Sequence, residues 1–529
     1  MNKTSLTALF CLLFIVFVVM GMQQNIPGKK KATRLYSEHA DSTVFEKDNN
    51  PDIHIMRGNV VFRHDSTYMF CDSAYLYLIT NTLEAFSNVR IEQGDTLFIY
   101  GDYLIYEGDN SLAKMRENVR MENNSLTLFT DNFNFDRIKN IGYFFEGGML
   151  VDSLNELTSL YGQYSPNTKI AAFNQNVVLT NPHFVLTSDT LIYNTINKVA
   201  TIVGPTVIES DSGTIESCSG WYNTVTDESM LFDRSTLISK DKTKTITADS
   251  LFYNRQTGLG EAFSHMVLND TVKKIILMGN YGYYDETTDF AFASDSAQMI
   301  EYSQIDSLFL HADRLQMQTI DQERELKAFY GVRFYRRDLQ GVCDSMQFHT
   351  RDSVLHLYKN PILWNTNYQL TGDTIRVFFN DSTVERMHVL NYAFSIEQQT
   401  DTTYYNQLKG RNLYAFFTAG ELSRIEVYGN VESIYYPLDE DGLSFIGQNN
   451  AESSFMFITV RNRKPVEIKW YPQPKMEVLP IPDLTPEKKY LKDFVDYNYI
   501  RPKNKEDIFT KTIRKLEDIP LPRRQRRSK

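Results

Sequence analysis

The sequence predicts an all-β chain, an elongated antiparallel solenoid of about twelve thirty-residue repeats with two strands each. Three observations carry this. A phrase of the form Asp-x-apolar-x-aromatic or apolar recurs at Asp72, Asp102, Asp131, Asp189, Asp249, Asp313, Asp344 and Asp373. Degenerate copies put Leu160, Cys218 and Asn280 in the same slot, so successive slots lie 29 to 33 residues apart. A second motif falls midway between the slots: GNVVF at 58–62, SNVRI at 87–91, ENVRM at 117–121, QNVVL at 175–179, GPTVI at 204–208 and GNVESI at 429–434. Within each phrase the apolar residues alternate at a period of two, as in a strand with one buried face.

The elements follow in order. Leu6 to Met22 is almost wholly apolar and no charge lies between Lys3 and Lys29. Residues 1–22 therefore predict a signal peptide or signal anchor, and with it export of the body. Residues 23–50 are a polar linker with a basic start, and 51–460 are the repeats. Their connections (EGDN, TDES, DETTD) have turn chemistry. The beat loosens after Asp373, and the next phrase, GRNLYAFF, follows an insertion around EQQTDTTYYN. Residues 461–529 are Pro-rich and basic and predict a disordered tail.

Composition narrows the function. The net charge is −11, although the segment from Lys475 onward holds 15 Lys and Arg against 9 Asp and Glu. The acidic repeats carry no basic-aromatic stripe, which argues against nucleic acid as a partner. HExxH, GxSxG and P-loop motifs are absent, and no His pair stands at metal-ligand spacing with a carboxylate. The expectation is a non-enzyme without catalytic residues, metal or cofactor. Cys71, Cys218 and Cys343 sit repeats apart, beyond the roughly 7 Å reach of a disulfide, and read as buried free thiols.

The Asp column reads as structural: each carboxylate sits where the strand bends and accepts backbone N–H groups. Leu160, Cys218 and Asn280 are tolerated in the same column, which a ladder of metal or sugar ligands would not survive. Alternation puts Asp102, Leu104 and Tyr106 on one face, and likewise Asp131 with Phe133 and Phe135, and Asp249 with Leu251 and Tyr253. The interior candidates are Leu104, Tyr106, Phe133, Phe135, Leu191, Tyr193, Leu251, Tyr253, Leu315, Met317, Met346 and Phe348. An apolar column of this kind is either a filled core or an open slot for acyl chains, and alternation does not distinguish the two.

The alternation of GNVVF with CDSAYLY, SNVRI with GDYLIY and QNVVL with SDTLIYN resembles the OstA-like (organic solvent tolerance protein A-like) family of periplasmic lipopolysaccharide-transport proteins. The resemblance covers roughly residues 35–460. It implies a β-jellyroll with a V-shaped apolar groove that holds lipid A acyl chains at the interior candidates. It implies lipopolysaccharide and other jellyroll proteins, joined end to end by strand pairing, as partners. It implies a periplasmic bridge toward the outer membrane, with residues 5–22 as a possible inner-membrane anchor. The chain is much longer than a single-bridge jellyroll and lacks room for a C-terminal transmembrane barrel. The competing expectations are a closed-core envelope scaffold or adhesin and a β-helix polysaccharide-active enzyme.

Overall fold

Strands rich in Val, Ile, Tyr and Phe alternate with short turns whose last residue takes the left-handed conformation, as at Asn81, Ser111 and Asn140. Strand therefore follows strand in antiparallel pairing along the sequence. The computed structural model describes residues 34–515 except 47–49, 322, 381–382, 400–402, 440–443, 463 and 511–513. The signal segment 1–22, the start of the linker and the final basic run lie outside the described residues. The chain divides into one unit of residues 1–182 with 190–197, and another of 183–189 with 198–529. No α-helix occurs among the described residues.

In the first unit Thr67–Tyr77, Thr82–Gln93, Leu97–Glu107, Leu112–Asn123 and Leu126–Asp136 pair each with the next. Every one of these pairings shifts register at mid-strand. At each shift the second motif places two consecutive left-handed residues: Ser87 and Asn88, Glu117 and Asn118, Gln175 and Asn176. Asn tolerates this conformation far better than β-branched residues do. The pair bends the strand, and its facing Asp completes the corner. Asn88 Nδ2 donates to Asp72 Oδ2 at 2.7 Å, and Asn118 Nδ2 to Asp102 Oδ2 at 2.6 Å. The two recurring motifs are thus the two sides of one corner.

The corner divides each unit into two half-ladders. Leu126–Asp136 pairs through its first half with Gly148–Asp152 and through its second with Ile141–Phe144. In the second unit Leu259–Asp270 pairs with Ser250–Asn254 and then with Lys244–Ala248, and Asp249 lies at the break. The half-ladders face each other across the apolar residues, which is a jellyroll arrangement.

The corner corrects two expectations. Asp102 and Asp131 are exposed while Leu104, Tyr106, Phe133 and Phe135 are buried. Asp and its following apolar residues therefore do not share a face, because the bend adds a residue and flips the parity. The carboxylates accept mostly side-chain donors; Asp131, which accepts the Asn118 backbone N–H at 3.2 Å, follows the backbone scheme. Asp249 accepts from His265 and Arg234, and the His265 hydrogen bond holds its carboxyl below the usual range.

Cys218, which occupies the slot itself, is exposed for the same reason, whereas Cys71 and Cys343 precede the slot and are buried. All three are free thiols. Burial pushes Cys71 and Cys343 up to about 12. In the native protein Cys218 should react with N-ethylmaleimide at least about a hundredfold faster than the other two. Equal labelling, read by mass spectrometry, would contradict this placement.

The predicted disordered tail is also corrected. Lys464–Tyr471 and Lys475–Leu479 are strands on Gln448–Arg461. Residues 480–510 then run back over the outside of the second unit as a strap. A column of buried glutamines holds it, three by its backbone and Gln340 by the Arg501 side chain. Gln448 Nε2 donates to the Lys488 carbonyl at 2.8 Å, and Gln407 Oε1 accepts from Leu491 N at 2.8 Å. Gln369 Oε1 accepts from Tyr497 N at 2.8 Å, and Gln340 Oε1 from Arg501 Nε at 2.8 Å. Tyr497 and Ile500 close over Val342, Ile362 and Trp364. Composition averages over the tail and misses these few anchoring residues.

Candidate functional site

The turns at the two ends of the strands form two rims. In the first unit side chains from one rim reach the other and seal the seam between them. The phrase's final Tyr supplies the bridging group. Arg137 Nη1 donates to the Tyr106 hydroxyl at 2.6 Å, and His64 Nδ1 lies 2.5 Å from the same oxygen. Two repeats on, the Tyr164 hydroxyl donates to Asn123 Oδ1 at 3.0 Å, beside Lys169. Next, the Tyr193 hydroxyl donates to Asp152 Oδ2 at 3.0 Å and accepts from Asn155 Nδ2 at 2.9 Å. Burial pushes the Tyr164 hydroxyl up to about 12 and raises Tyr106, so both remain donors at neutral pH. Losing Tyr106 leaves a half-buried guanidinium without its closest acceptor, and Tyr106→Phe should cost the first unit about 2 kcal/mol in urea denaturation.

Inside this seam the first unit is filled. Leu104, Tyr106, Phe133, Phe135, Leu191 and Tyr193 are 0% exposed. Leu191 and Tyr193 both lie in the 190–197 stretch of the first unit. The Phe133 ring occupies the space where a Cβ on Gly142 would stand.

The second unit differs. Tyr222 donates to Asp227 at 2.7 Å, and Arg255 pairs with Asp227 at 2.9 Å. Tyr253 reaches Glu286 at 3.3 Å, and Tyr284 reaches Asp289 at 3.5 Å. The phrase then loses its tyrosine: Met317, Phe348 and Val377 end the corresponding phrases. A cavity of about 1700 Å³ occupies this unit, walled by residues from Ile208 to Ile468. That exceeds the ~300–1,000 Å³ typical of small-molecule sites. Turn residues of both rims line it, including Asp338 and Asn367 on one side and Thr350 and Glu421 on the other.

Of the predicted interior residues, Leu251, Tyr253, Met317, Met346 and Phe348 line this cavity. Leu315 is buried beside it without reaching its wall. The sequence reading missed half of the wall. Ile246, Leu277, Leu310 and Leu370 line the cavity, each three residues before the slot. Met69, Ile99 and Leu128 stand at the same place and are buried in the first unit. A column at this offset was present in the sequence, but strict alternation assigned it to the opposite face from the residues after the slot.

Comparison with known proteins agrees with the sequence reading. Residues 32–189 match the family model described as OstA-like protein. No curated protein matches the chain. Among solved structures the chain resembles LptH of Pseudomonas aeruginosa, described as the LptA-homologous periplasmic component of the lipopolysaccharide transport device. The identity is 12%, the TM-score 0.21, and the match covers 27% of this chain and 93% of that one. In its corner motifs and in the family match, the segment 32–189 of this chain is similar to OstA-like proteins.

Proposed function

We propose that the chain is a non-enzymatic periplasmic carrier of lipopolysaccharide toward the outer membrane, with acyl chains lying in the cavity of the second unit. The cavity carries this reading: it is long-walled, predominantly apolar and bordered by both rims, which suits chains more than a compact substrate. The OstA-like sequence supports the same class of cargo. The N-terminal edge supports a jellyroll partner. Tyr36–His39 and Ser42–Glu46 pair with Asn50–His64 and expose Tyr36, Val44 and Phe45 beside a backbone edge that pairs with no other strand among the described residues. The opposite edge strand carries Pro465 and is bounded by Pro472 and Pro474, which removes donors from that side.

The test is photo-crosslinking in cells with a probe at Phe348, at Gln347 and at Leu104. The expected result is a lipopolysaccharide adduct at Phe348 alone. Gln347 does not line the cavity, and Leu104 is sealed. The filled core of the first unit favours a second reading for that unit, a closed-core scaffold. Absence of an adduct at Phe348, in exported folded protein, would extend that reading to the whole chain.

A further inference from the structure

Three cations meet at the mouth of the cavity, on both rims. Lys244 and Lys273 stand on one rim and Arg324 on the other, and all three line the cavity. Two carboxylates face them. Lys244 Nζ lies 3.7 Å from Asp289, and Lys273 Nζ lies 3.7 Å from Asp289 and 3.8 Å from Asp270. A charge-assisted N–H···O bond is about 2.7–2.9 Å long, so none of these pairs is closed.

Both carboxylates are already engaged. Asp270 accepts the Lys273 backbone N–H at 2.8 Å, and Asp289 accepts the Thr319 hydroxyl. The Lys273 side chain is only 16% exposed, yet its ammonium finds no acceptor within hydrogen-bond distance among the described residues. Burial lowers the Lys273 pKa, and the nearby Arg324 and Lys244 charges press it the same way. Other cations of the wall are taken: Arg255 pairs with Asp227, and Arg336 with Asp338 at 2.6 Å. Elsewhere the wall carries Glu397 and Glu421, which would repel an anion and so confine it to this cluster.

We infer that Lys244, Lys273 and Arg324 form a subsite for the anionic, phosphate-type head group of the amphiphile whose chains fill the cavity. The inference rests on the reading of the cavity as an acyl-chain site. The two lysines lie where the tyrosine-bridged seam ends, so a head group held there sends its chains into the apolar space beyond. An oxyanion would supply the close acceptors that the two ammonium groups lack.

The experiment uses the full-length exported protein and two amphiphiles with one chain, n-dodecyl phosphate and n-dodecyl maltoside, each titrated calorimetrically below its micellar concentration. The expected result is that Lys273→Gln and, separately, the more exposed Lys244→Gln weaken dodecyl phosphate about tenfold. Neither should change dodecyl maltoside, and millimolar inorganic phosphate should compete with the first ligand alone. Equal binding of both amphiphiles, unchanged in both variants, overturns the subsite and leaves the cavity reading standing. Binding of inorganic phosphate without either amphiphile identifies a free-anion site and overturns the head-group assignment. Binding of nothing overturns the cavity reading itself.

Discussion

Phe133→Ala is expected to destabilise the first unit by about 3–5 kcal/mol, whereas Phe348→Ala should cost the second unit about 1 kcal/mol or less. Phe133 stands two positions after Asp131 and Phe348 four after Asp344; Phe135 is the strict counterpart of Phe348 and should behave as Phe133 does. The difference lies in their surroundings. Phe133 and Phe135 are 0% exposed, and the Phe133 ring packs on bare Gly142, so truncation leaves a void that the ladder cannot close. Phe348 already borders open space, touching Phe379 edge-on at 6.1 Å, and its truncation only enlarges a cavity of about 1700 Å³. Hydrogen exchange of Leu112–Asn123 and of Leu339–His349 reads the two effects separately. Equal costs would mean that the second unit is as filled as the first, and would remove the basis for a lipid site.

The strap should detach when its anchor is made polar. Ile500 is 2% exposed against Val342, Ile362, Trp364 and Tyr497. Placing a carboxylate there costs about 3 kcal/mol or more, comparable to everything that a short segment without regular structure gains from docking. In Ile500→Asp, trypsin should cut rapidly at Lys488, Lys489 and Lys492, while the body of the second unit stays intact. Tyr499→Asp, on the exposed side, should leave the strap protected. Slow cleavage in both variants would show that the glutamine column alone holds the segment. Arg333, whose Nη2 donates to the Ile500 carbonyl at 3.1 Å, and Arg514, which reaches the Asn360 carbonyl, are further ties.

The strap was more legible than composition suggested. Gln340, Gln369, Gln407 and Gln448 each stand four residues before a slot, counting Arg411 and Glu452 as the slots of the two degraded repeats. Earlier repeats hold Tyr68, Phe98 or Thr127 there. A glutamine column confined to the last repeats marks an outer face with something to bind. The identity of that something, a segment of the same chain, depends on where the chain returns in space.

What the sequence determined by itself is local: all-β structure, antiparallel succession, the corner at each Asp, and the inward residues after it. These follow from backbone preference and a period of two, and both are fixed within one repeat. The tertiary structure alone decided whether the inward columns touch. The same phrase is sealed at Tyr106, Tyr164 and Tyr193 and borders open space at Met317 and Phe348. That outcome turns on whether a hydroxyl on one rim finds a partner on the other, such as Asp152 or His64, dozens of residues away in the chain. A repeat specifies its own strands, but the distance between two facing half-ladders is set by bridges that no single repeat contains.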